Sequence, residues 1–249
     1  RFINDLLARG IEPMVCLYHF DMPLALAQEY NGFNDRRVVE AFIRYGKKMI
    51  NCFGDRVKYW LTFNEQNIFH MPEAFRISGY MKGEQTLREL YELQHHAMVA
   101  HMTLTEYLHQ TKPGKLMGGM LAHQLIYPAT CKPRDIFCAQ QYDEFLNQNL
   151  LRVFAGQGYS PAVMAVVEQE GFGDIYRADD LALFARTKND FMAFSYYASK
   201  TLDSDAIPEG TPVNYYLLHG EKNNPYLKAT EWNWQIDPLG FRTIITRYA

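Results

Sequence analysis

The 249 residues predict an α/β fold with a parallel sheet covered on both faces, and three observations carry that reading. Short runs of bulky apolar residues alternate with longer stretches whose apolar positions recur at helical spacing. The runs are near-continuously apolar, as strands flanked by helices on both faces require. Long segments follow the strands, which favours an eight-stranded α/β barrel over an open doubly wound sheet, because a barrel gathers its working loops at that rim. A doubly wound nucleotide fold would want a glycine-rich turn after its first strand. The nearest candidate, Gly171-Phe172-Gly173, lacks a third glycine and follows a helix.

In chain order, Phe2, Ile3, Leu6 and Leu7 stand at helical spacing, with Gly10 as a stop. Met14 to Phe20 reads as a buried strand. A helix follows on the stripe Val39, Phe42, Ile43, Met49, Ile50 and Phe53, and Val57 to Glu65 reads as the second strand. Thr86 with Glu89 forms a capping box that opens a long helix ending at Lys112-Pro113-Gly114. Lys115 to Pro128 is read as one third strand, whose Gly118 and Gly119 imply close backbone packing. A long helix covers about Asp135 to Ala155, and another is capped by Ser160 with Pro161 at its first position. A helix around Asp180 to Arg186 leads into the fourth strand, Asp190 to Ser199. Residues 203–234, rich in Pro, Gly and Asn, read as a long loop, and Asp237 with Pro238 opens a last helix. No repeat or low-complexity tract divides the chain, so residues 1–249 are taken as one domain.

Charge narrows the function. With 25 Lys+Arg against 28 Asp+Glu and no long run of either sign, the chain carries no nucleic-acid footprint and no electrostatic membrane anchor. No apolar stretch approaches the roughly 18 residues of a membrane span. Four scattered cysteines without a C-x-x-C pair, and no N-x-S/T acceptor, predict reduced thiols and a cytoplasmic location. The start without Met and the unterminated last helix predict a piece of a longer protein.

The chemistry concentrates at strand ends. Val57 to Asn67, "VKYWLTFNEQN", is an apolar strand that ends in Asn64-Glu65. A carboxyl there is paired, protonated or catalytic: a free Glu titrates near ~4.3, burial favours its neutral form, and a general acid working near neutrality needs roughly 6–7. Asn64 suits a donor to a substrate hydroxyl, and His19 stands at the matching end of the preceding strand, converging on the same rim. Tyr196 and Tyr197 end the fourth strand, with packing as the plainer role. His95 and His96 sit mid-helix and read as packing residues. No H-E-x-x-H or comparable ligand spacing occurs, so no metal or other cofactor is predicted, and no G-x-S-x-G elbow supports a serine hydrolase. A rim of carboxylate, His, Asn, Tyr and Trp suits sugars, whose hydroxyls want polar partners and whose ring faces stack on aromatics. Glycosidases need two carboxylates, and no second one stands at a credible strand end here: Asp21 reads as a helix-start residue.

"LYHFDMPLAL", "TFNEQN" and "FSYYAS" resemble the family 1 glycoside hydrolases, retaining β-glycosidases on a (β/α)8 TIM barrel, and "NPYLKATEWNWQIDP" is similar to the bacterial 6-phospho-β-glucosidase branch. The resemblance covers about strands three to six of the barrel and the helix before strand seven. It implies that Glu65 is the acid/base, that Asn64 bonds the hydroxyl beside the anomeric carbon, and that His19 holds a hydroxyl of the same sugar. It implies further that Tyr197 orients the nucleophile and that Trp234 lines the leaving-group side. Ser195 stands where the family usually has Asn, a change associated with the phospho-sugar branch, and Gln66 stands where Pro or Ile is common. The nucleophile Glu of the E-N-G motif and the phosphate-binding S-x-K-x-x-Y motif would fall past residue 249. The implied partner is a small β-glycoside or its 6-phosphate, with no nucleic acid or membrane; a homo-oligomer stays open. A plain β-glucosidase and a 6-phospho-β-galactosidase are the alternatives, and a non-catalytic sugar-binding or truncated remnant is the alternative of another class.

Overall fold

The computed structural model describes residues 1–72, 77–83 and 85–248. Its main sheet has four parallel strands, β1 (Met14–Tyr18), β2 (Tyr59–Phe63), β3 (Leu116–Ala122) and β5 (Phe191–Ser195), lying in that order. The register runs Tyr18 to Phe63, Leu61 to Gly118 and Ala122 to Ser195. Each strand neighbours its predecessor and the order never reverses, whereas a doubly wound sheet reverses at a switch point. This is a portion of a (β/α)8 barrel.

Helices make the crossovers. A short helix α1 (Phe2–Leu7) precedes β1; α2 (Leu24–Tyr30) and α3 (Arg36–Phe53) join β1 to β2, and α4 (Leu87–Thr111) joins β2 to β3. The capping box forms as expected at the start of α4: the Thr86 hydroxyl accepts from the Glu89 amide and the Glu89 carboxylate accepts from the Thr86 amide. Leu93, Ala97, Met98, Met102, Leu104 and Leu108 of α4 are buried and form the spine of the core. At the strand ends Tyr18, Phe33, Phe42, Phe63 and Phe69 pack mostly edge to face, with centroids 4.6–6.4 Å apart. This cluster lies beneath the rim that carries His19 and Asn64, and it makes that rim rigid.

Between β3 and β5 the chain forms α5 (Pro133–Asp143), a π turn Glu144–Gln148, α6 (Asn149–Phe154), α7 (Pro161–Gln169) and α8 (Ala178–Arg186). The expected helix from Asp135 to Ala155 is thus present but interrupted by one wide turn. The Ser160 hydroxyl accepts from the Ala162 amide, as its sequence position predicts. Gly118 and Gly119 justify the expected close packing: a Cβ on Gly118 would lie 2.3 Å from the Phe191 ring, and one on Gly119 would lie 2.5 Å from the Phe154 ring.

Four expectations need correction. The third strand is two, because after β3 the chain resumes as β4 (Ile126–Pro128). The fourth strand likewise stops at Ser195 and resumes as β6 (Lys200–Leu202), which lies parallel to β4. The segment 203–234 is more ordered than a loop: it holds two 3-10 turns, α9 (Tyr216–Gly220) and β7 (Glu221–Lys222), which pairs antiparallel with β6. Asp21 does not cap a helix, since α2 begins at Leu24 behind Pro23. The last helix, α10 (Pro238–Tyr248), does begin at Asp237, whose carboxylate accepts from the Gly240 amide and from the Tyr127 and Ser199 hydroxyls.

Candidate active site

Glu65 terminates β2 on a tight turn. Its backbone is left-handed at φ 47° and ψ 56°, and a 3-10 turn, Gln66–His70, starts immediately after it. A β-carbon in that region costs roughly 1–2 kcal/mol, so the surroundings must hold the residue there. Phe20 ends the neighbouring strand in the same way at φ 71°. Two adjacent strands therefore turn off sharply at one level, and the turns place His19, Asn64 and Glu65 along one rim.

Glu65 is 7% exposed, and the Tyr197 hydroxyl donates to its Oε1 at 2.8 Å. Tyr197 reaches it because the pairing of β3 with β5 breaks off at Ala122 and Ser195 and is re-formed between β4 and β6. Tyr197 lies in the interruption, freed from the pleat. A hydrogen bond with the Ser195 side chain pulls the Tyr197 phenol down, but burial and the Glu65 carboxylate outweigh it and leave the group raised. The Trp234 indole stands 5.2 Å from the Tyr197 ring, centroid to centroid, and is 44% exposed. A small cavity of about 120 Å³ beside them is lined by Ala122, His123, Gln124, Tyr197, Lys200 and Trp234.

Asn64 is buried, and its amide donates to the Tyr18 carbonyl at 2.9 Å, continuing the β1–β2 ladder to the rim. His19 follows Tyr18 and is therefore the register neighbour of Asn64. It is exposed and lines a separate cavity of about 350 Å³ with Cys16, Asp21, Met22, Phe42 and Tyr45. The structure thus joins Glu65, Tyr197 and Trp234 by a hydrogen bond and a tilted ring contact, and sets Asn64 and His19 on the same rim. Tyr196 instead bonds Ser199 and the Asp237 carbonyl and packs on Phe241, a structural role.

Reading the sequence missed the groups that shape the strand interruption. Asn67 bonds both backbone groups of Ala122, and Asn147, turned inward by the π turn, donates to the Gln124 carbonyl at 2.9 Å. His123 contributes one ring nitrogen to the Tyr248 hydroxyl at 2.6 Å, and burial pushes its imidazole down to about 4, so it is neutral. A π turn leaves no clear periodic signature in a sequence, and an Asn two positions past a carboxylate reads like any turn residue. His95 and His96 are buried packing residues, as expected: His95 lies between Tyr159 and Asp180, and His96 against the Phe33 carbonyl. Among the described residues no group of three or more His, Cys, Asp or Glu is placed to hold a metal ion.

Known proteins share this chain's sequence pattern and fold. The chain is 32% identical to an aryl-phospho-β-D-glucosidase of Bacillus subtilis, covering 98% of this chain and 54% of the relative. It is 36% identical to a 6-phospho-β-glucosidase of Escherichia coli, covering 94% and 48%. Among solved structures, a family 1 β-glucosidase from Thermotoga maritima superposes with TM-score 0.81 at 25% identity, over 100% of this chain and 53% of that one. A psychrophilic β-glucosidase from Micrococcus antarcticus gives 0.84 at 24% identity, over 100% and 55%. The chain spans about half the length of the relatives it matches. The model of glycosyl hydrolase family 1 matches residues 1–249, and the chain belongs to that family.

Proposed function

We propose that this protein is a retaining glycoside hydrolase acting on 6-phospho-β-glucosides, with Glu65 as its acid/base. The observation that carries the reading is a buried carboxyl at a barrel strand end, held by the Tyr197 phenol beside a Trp-lined cavity. In the first step Glu65 protonates the glycosidic oxygen while a second carboxylate, which the family resemblance puts past residue 249, attacks the anomeric carbon. In the second step Glu65 takes a proton from water, which displaces that carboxylate. Retention sets the two carboxyl groups roughly 5–5.5 Å apart. Tyr197 bonds Glu65 at 2.8 Å, the family resemblance gives it the further role of orienting the nucleophile, and Asn64 and His19 on the same rim suit hydroxyls of the sugar in the glycone position. Trp234 offers an apolar face to the leaving group.

The phosphorylated substrate is supported by relatives whose names specify phospho-glucosidases and by Ser195 in place of the family's usual Asn. No helix among the described residues is long and apolar enough to cross a membrane. A charged sugar phosphate does not diffuse through lipid, so a cytoplasmic workplace and a single barrel domain including residues 1–249 are part of the proposal. The test compares a chromogenic β-glucoside with its 6-phosphate and with the 6-phospho-galactoside, using the full-length protein. The expected outcome is turnover of the 6-phospho-glucoside alone, reduced about 10²–10⁴-fold in Glu65→Gln, the range a general acid contributes. Turnover of the neutral glucoside alone would move the protein to the plain β-glucosidases. No turnover of any of the three would leave a sugar-binding role.

A further inference from the structure

Glu65 has to be kept in a left-handed backbone conformation, and the structure contains a specific device that does so. Asn67 lies two residues past Glu65 in the 3-10 turn and is 1% exposed. Its side-chain Nδ2 donates to the Ala122 carbonyl at 2.8 Å, and its Oδ1 accepts from the Ala122 amide at 2.8 Å. That is the donor-and-acceptor pattern of a peptide unit in a sheet. The β2–β3 register, Leu61 against Gly118, would bring residue 65 level with Ala122 if β2 continued straight. The chain turns off at Glu65 instead, and the Asn67 amide fills the place that the Glu65 peptide vacates. Both backbone groups of Ala122 remain satisfied, and the turn carrying the carboxyl is tied to the end of β3.

We propose that Asn67 is a positioning residue for the acid/base, resting on the hydrolase reading above. Ala122 itself lines the cavity that Tyr197 and Trp234 border, so the tie fixes Glu65 relative to the place of the leaving group. Without it, the turn is free to relax toward ordinary φ values and carry the carboxyl off line. Displacement of about 1 Å costs an enzyme on the order of 10²-fold in rate.

The test uses leaving-group chemistry on the full-length enzyme, because an acid out of place matters only where the leaving oxygen needs a proton. Asn67→Ala is expected to lower kcat/KM about 100-fold on an alkyl or weakly activated aryl 6-phospho-β-glucoside and less than about 5-fold on the 2,4-dinitrophenyl compound. Azide, which needs no base to attack the glycosyl-enzyme, is expected to raise kcat on the dinitrophenyl substrate and to give a β-glycosyl azide. Asn149→Ala, which removes a buried side chain whose Oδ1 accepts from the Ser160 amide between α6 and α7, serves as the control and should show neither effect. Should Asn67→Ala not fold, Asn67→Asp retains the acceptor for the Ala122 amide and carries the same comparison. Equal losses on both substrates, or no loss, would overturn the positioning role. If the wild-type enzyme turns over but the Glu65→Ala variant shows no azide rescue, the assignment of Glu65 fails, and the proposal fails with it.

Discussion

Gln66 stands where the family resemblance implies Pro or Ile, and the structure shows what a glutamine entails there. Its side chain is fully buried; Nε2 faces the Met98 sulfur at 3.7 Å, and Oε1 has no hydrogen-bond partner among the described residues. A buried amide oxygen without a partner costs on the order of 1–3 kcal/mol, and sulfur is a weak acceptor. Gln66→Leu, of similar volume and without polar atoms, is expected to raise stability by about 1 kcal/mol in urea unfolding. A lower urea midpoint would mean that the amide has a partner in solution, such as an ordered water. Position 66 was visible in the sequence as unusual, but its cost was not: that depends on Met98, thirty-two residues away in sequence.

At the scale of elements, the sequence made helices easiest to read and strand breaks hardest. The α4 capping box and the Ser160-Pro161 start were legible because a cap is a local signal, complete within four residues. The division of β3 from β4 was not, since "AHQLIYP" keeps the apolar character of a strand through the break; Asn67 and Asn147, which hold the break, act from other elements. The paired glycines of β3 were legible as a close approach, and their partners can now be named. Gly119 sits against Phe154 of α6, whose ring is buried. Gly119→Ala should cost about 1–3 kcal/mol by overpacking. Combining it with Phe154→Leu should recover part of that loss, a coupling that a thermal-denaturation double-mutant cycle would measure. Strict additivity of the two changes would show that they do not meet.

For the whole molecule, the most consequential charge feature is a set of histidines kept neutral by burial. His70, stacked on Phe145, is pushed down to about 3, while His96, His101 and His123 are pushed to about 4. The unfolded chain titrates near ~6.5, so between that pH and about 4 it binds protons that the folded protein refuses. Stability is therefore fully present above about pH 6.5 and is lost as the pH falls toward 4. At pH 5 each such group removes about 2 kcal/mol. The urea midpoint is expected to fall steeply between pH 6.5 and 5, and His101→Gln, which can still face Thr62 and Asn189, should make that fall shallower. A midpoint unchanged between pH 7.5 and 5 would show that these rings are hydrated or protonated in the fold. Alternation made the parallel α/β class legible, and the long segments after the strands favoured a barrel. This acid sensitivity was not, because burial of a histidine is a property of the assembled layers.

The left-handed backbone at Glu65 also bears on how the sequence can drift. Glycine, and to a lesser extent asparagine, occupies that region at lower cost than glutamate. Mutation guided only by stability would therefore replace Glu65 readily, since the bond it would lose is to a tyrosine that is 56% exposed and can turn to water. A lineage released from any need for turnover would accumulate Gly or Asn at this position, whereas one under selection for hydrolysis would keep the less comfortable residue. On the proposed acid/base reading, glutamate at position 65 answers a demand that folding does not make.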